Sequence, residues 1–501
     1  MVLESLPCRS SLHKLGQNTI RDLSAAAALP IQFQSAKTAD EEPIIPSPSV
    51  FDFAGDASCV EHERGDAHRL PIVASCAAHL ELLEVFYLLR QKVLASEDID
   101  RAFDIKPKRE HKTGANGDTK TLRDPTLWTR RQCKWTTYLE FAAVRFLVWR
   151  DALRRQPSSM ALEHDGSYKL THLPPLDVLM VWHAFMLNPR LFNETCKDEI
   201  LYKMRMPWKA VHDRIDNRNW TFELAATEKQ QFERTIGLSG DLFAQFTTWI
   251  PNAEPKKTAL ALGFFAKRPV TKPAELPVVD RPRLNDFSLK CKAVMSSTSG
   301  WTAVDKKYKD VFETTNCDLA IKLRDAVDRQ TAFVDKMNNH MWIRSPALAG
   351  TITRAIGRYG KFLDIMRRYP KIMVVPTLDI DLVWHTHQCA AVFYARGMKA
   401  IVGRFINHDD SIVEATLNTG FDDTMKLWQV HYGTQYRTCG CWDCEALQSA
   451  LDDAAKASVE NVDMAGLARR AQKEVTYYRA VEVAIRKRKP LPVRTTVEVE
   501  T

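Results

Sequence analysis

Cys439, Cys441 and Cys444 fall within six residues, in a chain with 11 cysteines among 501 residues. Thiolates and imidazoles are the donors that zinc prefers. His385, His387, His408 and His431 lie in the same half of the chain, and any of them can complete a four-ligand zinc site with the cysteines. Reduced packing thiols at a helix start, or thiols used in redox exchange, are the alternatives this spacing leaves open. A second constellation lies upstream, where Asp381 and His385 stand at i and i+4 on one helical face and His387 follows in D-L-V-W-H-T-H. Two positions turn an ideal helix by about 200°, so His385 and His387 cannot both reach one ion while the helix is regular. Asp381 and His385, with His408 from the Asn407–His408–Asp409–Asp410 segment, are therefore the candidate metal ligands or general acid/base groups.

The element that carries Asp381 and His385 occurs twice. Pro174-Pro175-Leu176-Asp177-Val178-Leu179-Met180-Val181-Trp182-His183 matches Pro376-Thr377-Leu378-Asp379-Ile380-Asp381-Leu382-Val383-Trp384-His385 without a gap, 202 residues later. Proline and aspartate at the start suit the first turn of a helix, whose free N–H groups and positive dipole end they complement. The apolar residues that follow exceed one exposed stripe, so both helices are expected to be buried. On the packing reading, Trp182 and Trp384 fill core volume while His183 and His385 find hydrogen-bond partners. In the first copy Leu179 and Phe185 replace Asp381 and His387, which makes the second copy the better candidate for chemistry. Tyr138 and Phe141, ahead of the first copy, share the spacing of Tyr359 and Phe362 ahead of the second.

Helical periodicity covers roughly 79–94, 130–153, 176–188, 190–205, 221–236, 318–341, 347–368, 378–399, 412–432 and 464–487, with short strands near 288–295. Six prolines between Pro251 and Pro282 oppose helix and central strand alike and read as a linker. The expected fold is mainly α, two helical lobes from an internal duplication joined by that Pro-rich linker. Its parts are a flexible segment 1–69, lobe 1 over 70–250, the linker 251–287, lobe 2 over 288–455, and a C-terminal helix with a basic tail over 456–501.

An apolar fraction of 45% and a charged fraction of 26% exclude a wholly disordered chain or a fibre. No apolar stretch reaches the roughly 18 residues of a membrane span. Glu4 and Pro7 stand where a secretory apolar segment would be, and Glu4 with Asp22 opposes a mitochondrial presequence. With thinly scattered cysteines, the expected location is the cytoplasm, the nucleus being the alternative. The net charge of +8 is concentrated in Lys106–Lys120, read as a mobile loop, and in Arg486, Lys487, Arg488 and Lys489. Those four cations are candidates for contact with an acidic protein or RNA, or else a solvated helix end.

PPLDVLMVWHAFMLNPR, VPTLDIDLVWHTHQ, the NHDD segment and YRTCGCWDCE, in that order, resemble the glycine-rich domain-containing protein-like family of fungi and plants. The resemblance runs from about Leu70 to Arg486 and implies the two Trp–His helices, the His408–Asp409–Asp410 turn and the cysteine trio as shared features. It implies no reaction; for plant members it implies links to growth, stress and RNA. With 19 glycines and no glycine-rich tract, the chain looks like a shorter fungal form. Three functions follow as expectations: an interaction or regulatory protein with a protein partner, a metal-assisted enzyme, such as a hydrolase, holding zinc or a similar ion, and an RNA-binding accessory protein. No G-x-S-x-G, phosphate loop or dinucleotide fingerprint appears.

Overall fold

The structure, a computed structural model, describes residues 33–54, 70–103, 105–108, 110–113, 119–122, 124–155, 160–163, 166–248, 317–410, 412–457 and 463–496. At its centre is α1 (Val73–Ala95), whose residues from Ala74 to Phe86 are all buried. The Glu and Arg positions between its apolar residues predict an amphipathic helix, and in the structure two of its carboxylates, Glu81 and Glu84, are buried. Glu81 is buried against His212 (Nδ1···Oε2, 2.7 Å), while Glu84 takes Arg344 and the Asn338 amide. Partners of this kind let a carboxylate occupy a core position.

Around α1 lie α2 (Glu97–Ala102), α3 (Leu127–Arg155), the first motif helix α4 (Leu176–Met186) and α5 (Pro189–Cys196). Then come α6 (Trp208–His212), α7 (Ala226–Ile236) and α8 (Leu242–Thr248). After the 249–316 interval the chain continues through α9 (Cys317–His340), α10 (Leu348–Arg368), the second motif helix α11 (Leu378–Gln388), α12 (Ala391–Ile401) and α13 (Glu414–Tyr432). It closes with the hairpin of α14 (Trp442–Lys456) and α15 (Met464–Arg486). The expected helix over 378–399 is two, because the chain turns at Cys389 and Ala390. The expected helix over 190–205 stops at Cys196, and Trp442–Lys456 forms a further helix, α14.

Among the described residues, eight short strands form four two-stranded antiparallel ribbons: β1 (Phe33–Ser35) with β8 (Pro492–Thr496), β2 (Glu110–Thr113) with β3 (Thr119–Leu122), β4 (Met160–Leu162) with β5 (Tyr168–Leu170), and β6 (Ile215–Asp216) with β7 (Thr221–Phe222). Within the mobile loop expected over 106–120, residues 110–113 pair with 119–122 as the β2–β3 ribbon. Order also begins before Leu70: Phe53 is buried and Phe51 stacks on His212 with ring centroids 3.8 Å apart. The expected strands at 288–295 and the linker lie outside the described residues.

Helix α9 follows the 249–316 interval in sequence yet packs on α1, α3 and α4. Arg324 on α9 reaches Glu140 on α3 at 2.9 Å, and Arg90 on α1 pairs with Asp335 on α9. A single buried cluster runs from Phe53 to Tyr436. The two stretches expected as separate lobes thus share one hydrophobic core. Among the described residues, no helix is long and apolar enough to cross a membrane.

Candidate metal centre

Two matching frames hold the motif helices. Arg145 on α3 donates to Asp177 of α4 (Nε···Oδ2, 2.6 Å) and to the Ser239 carbonyl (2.8 Å), and lies over the Phe232 ring at 5.3 Å. Arg358 on α10 donates to Asp379 of α11 (Nε···Oδ2, 2.6 Å) and to the Tyr436 carbonyl (2.7 Å), and lies over the Trp428 ring at 5.0 Å. Trp149 meets Trp182 at 5.7 Å, as Phe362 meets Trp384 at 5.7 Å. Phe146 meets Phe185 edge-on at 5.9 Å, as Tyr359 meets His387 at 5.9 Å. The residues that correspond to Tyr359 and Phe362 are therefore Phe146 and Trp149. Tyr138 and Phe141 sit two turns earlier, against Phe246. The motif helices are 202 residues apart (Trp182 to Trp384) and the helices before them 213 (Arg145 to Arg358). The β4–β5 ribbon lies in the longer first connection.

In each frame the motif histidine meets a second imidazole. His183 Nε2 lies 2.8 Å from Nε2 of His79 on α1, and His79 Nδ1 lies 2.8 Å from Thr386 Oγ1 on α11. Thr386 spends its own proton on the Leu382 carbonyl (2.8 Å), so it accepts from His79 Nδ1–H, and His79 Nε2 accepts from His183 Nε2–H. Burial holds His79 well below the ordinary imidazole range, with His183 adding to the effect, and burial lowers His183 to about 3. Both rings are neutral, and every proton between them has a place.

The second pair differs. His385 Nε2 faces His408 Nε2 at 3.1 Å, and Asp381 Oδ1 lies 3.4 Å from the first and 3.5 Å from the second. Asp381 and His385 are 2% and 1% exposed, yet Asp381 Oδ1 and both Nδ1 atoms have no hydrogen-bond partner among the described residues. Burial, then the neighbouring His408, holds His385 well below the usual imidazole range. Three lone-pair-bearing atoms thus converge with at most one proton between the two imidazoles. Donors at 2.0–2.1 Å from one ion stand about 3.0–3.4 Å apart, depending on coordination number. The observed triangle matches those edges.

The loop bearing His408 is clamped on several sides. Asp410 accepts from Arg329 (2.8 Å) and Gln330 (3.2 Å) on α9, Asn407 Oδ1 accepts the Arg190 N–H (3.1 Å), and Tyr394 donates to the Ile406 carbonyl (2.9 Å). The rings are held too: His385 packs on Phe333 at 4.4 Å and His408 meets Trp384 edge-on at 5.0 Å.

His387 points away, toward Tyr359 (Nδ1···Oη, 3.0 Å), and burial lowers it to about 4. His431 pairs with the Tyr369 hydroxyl at 2.8 Å. Neither joins the Asp381 triad or the cysteines. The three cysteines do meet, each offering a sulfur within 4.8 Å of the other two. Hydrogen bonding among the three thiols and burial push the Cys441 thiol upward. In the basic run Arg486 pairs with Glu482 at 2.6 Å, Lys487 is half-buried, and Arg488 and Lys489 are exposed. Sequence reasoning missed His79 and Thr386, because a lone histidine 307 residues from its partner leaves no local signal.

Residues 285–397 match the family model for glycine-rich domain-containing protein-like chains, a span that includes Asp381, His385 and His387 and stops before His408. Glycine-rich domain-containing protein 1 of Arabidopsis thaliana is 26% identical over 276 residues, which is 54% of this chain and 26% of that protein. Glycine-rich domain-containing protein 2 of the same plant is 35% identical over 97 residues, 18% of this chain and 12% of that one. The chain thus spans about a quarter or less of the length of these curated relatives. No solved structure matches it. The matched segment holds the second Trp–His helix and the α9 and α10 helices that frame it, and over these residues the chain is similar to the glycine-rich domain-containing protein-like family.

Proposed function

We propose that this chain is a metal-dependent helical protein in which Asp381, His385 and His408 hold one divalent transition-metal ion. The observation that carries this reading is the buried triangle of one carboxylate oxygen and two Nε2 atoms, with edges of 3.1, 3.4 and 3.5 Å and an acceptor that no donor satisfies. Two imidazoles and one carboxylate leave further coordination positions open, the donor set of catalytic zinc and non-haem iron sites. A bound ion would supply Lewis acidity and a more acidic water. The chain's own part is to fix the donors through Phe333, Trp384 and the Arg329–Asp410 clamp.

A second reading, an interaction or regulatory protein in which the ion is a strut, has its own support. Asp381, His385 and His408 are 2%, 1% and 9% exposed, which leaves little of the triad for a substrate to reach. We also infer that the two frames descend from one duplicated unit, on the strength of the Arg–Asp, Trp–aromatic and ring contacts that recur in both.

Elemental analysis of the purified full chain tests the metal reading. Wild type should carry one equivalent of zinc, iron or manganese more than Asp381→Asn and His385→Ala. Equal metal content in all three would end it.

A further inference from the structure

We propose that Cys439, Cys441 and Cys444 form a second metal site, independent of the histidine site, which binds one zinc ion through three thiolates at the start of α14. The sulfurs already face one another within 4.8 Å, and zinc–sulfur bonds of about 2.3 Å require sulfurs roughly 3.8 Å apart. On binding, the three thiol protons pass to solvent and a water takes the fourth position.

The loop that presents them is built without help from the metal. Trp342 Nε1 donates to the Gly440 carbonyl at 2.7 Å, and Trp442 Nε1 donates to the His340 carbonyl at 2.9 Å. The end of α9 and the start of α14 are thereby tied in both directions. Gly440 has φ +65°, and a Cβ there would come 3.1 Å from Trp342 Cζ2, so glycine is needed for both its backbone angle and its lack of bulk. Cys441 is the N-cap residue of α14 and Cys444 lies in its first turn. Peptide dipoles at that end favour the net negative charge of a zinc ion with three thiolates. The nearby carboxylates are engaged elsewhere: Asp443 with Arg479 and Glu445 with Arg354, both at 2.5 Å. Sulfur is therefore the donor this loop offers, in a number that a disulfide would leave odd.

The test uses the full chain, purified without chelator, as wild type, as the Asp381→Asn/His385→Ala double variant and as Cys441→Ser. The double variant should keep one zinc per chain, and Cys441→Ser should lose one relative to wild type. Exchange with cobalt should give a thiolate-to-metal charge-transfer band in wild type and the double variant, absent from Cys441→Ser. Should either variant fail to fold, the wild-type cobalt spectrum decides, because a site of two imidazoles and a carboxylate contains no sulfur and gives no such band. Absence of the band in wild type, unchanged zinc in Cys441→Ser, or a disulfide among the three found by peptide mapping would overturn the proposal. Because the double variant lacks the histidine site, failure of that site leaves this result readable.

Discussion

The two motif helices share a frame but not a polar outcome. In α4, Leu179 stands where α11 has Asp381, and the His183–His79 pair is closed by the Thr386 hydroxyl. In α11 the carboxylate brings an unsatisfied acceptor against two imidazoles. The second imidazole also differs in origin, coming from α1 as His79 in one case and from the loop after α12 as His408 in the other. The packing of the two frames is alike where aromatic rings meet, and it differs where a polar atom needs a partner.

Four experiments break or sharpen that contrast. The largest effect is expected from Arg145→Met, which leaves Asp177 charged and alone; Arg145 is fully buried, and about 3–5 kcal/mol of stability should be lost in urea unfolding. Arg358→Met should cost less, because Arg358 and Asp379 are 15% and 11% exposed. Next comes acid. His79 and His183 have folded pKa values below the unfolded imidazole value, so the unfolded chain binds more protons and stability falls as pH drops from about 6.5 toward 3. Each contributes about 1.4 kcal/mol per pH unit, and His79→Asn/His183→Asn should flatten the slope of a denaturation series across that range.

Asp381→Leu makes the second helix resemble the first. It should abolish the metal equivalent assigned to His385 and His408 while raising metal-free stability by about 1–3 kcal/mol, since a buried acceptor without a donor is removed. A metal-free protein weakened by this change would show that the carboxylate has a structural partner instead. The smallest effect is expected from Thr386→Val, which deprives His79 Nδ1–H of its acceptor and should cost about 1 kcal/mol, with metal content untouched.

The sequence made the motif helices legible because proline, aspartate and an apolar run together encode a buried helix start. The opposed directions of His385 and His387 followed from helical rotation, and both hold in the structure. The meeting of Asp381 with His408, and of the three cysteines, was also readable, since each set is close in sequence. Glu81 and Glu84 misled, because a charge pattern records which residues are polar and not which have distant partners. The aromatic pairs of α3 misled for another reason: Tyr138/Phe141 and Phe146/Trp149 share one spacing, and tertiary contact alone tells them apart. His79 lay beyond reach for want of any local pattern.

The ribbon of β1 and β8 joins segments from opposite ends of the described chain. The Ala36 N–H meets the Leu491 carbonyl at 2.7 Å and Phe33 rests on Tyr477 at 5.3 Å. It works as a clasp. Fluorophores placed on Gln34 and Arg494, on the two paired strands, would begin as near neighbours, and opening of the clasp would register as a fall in energy transfer.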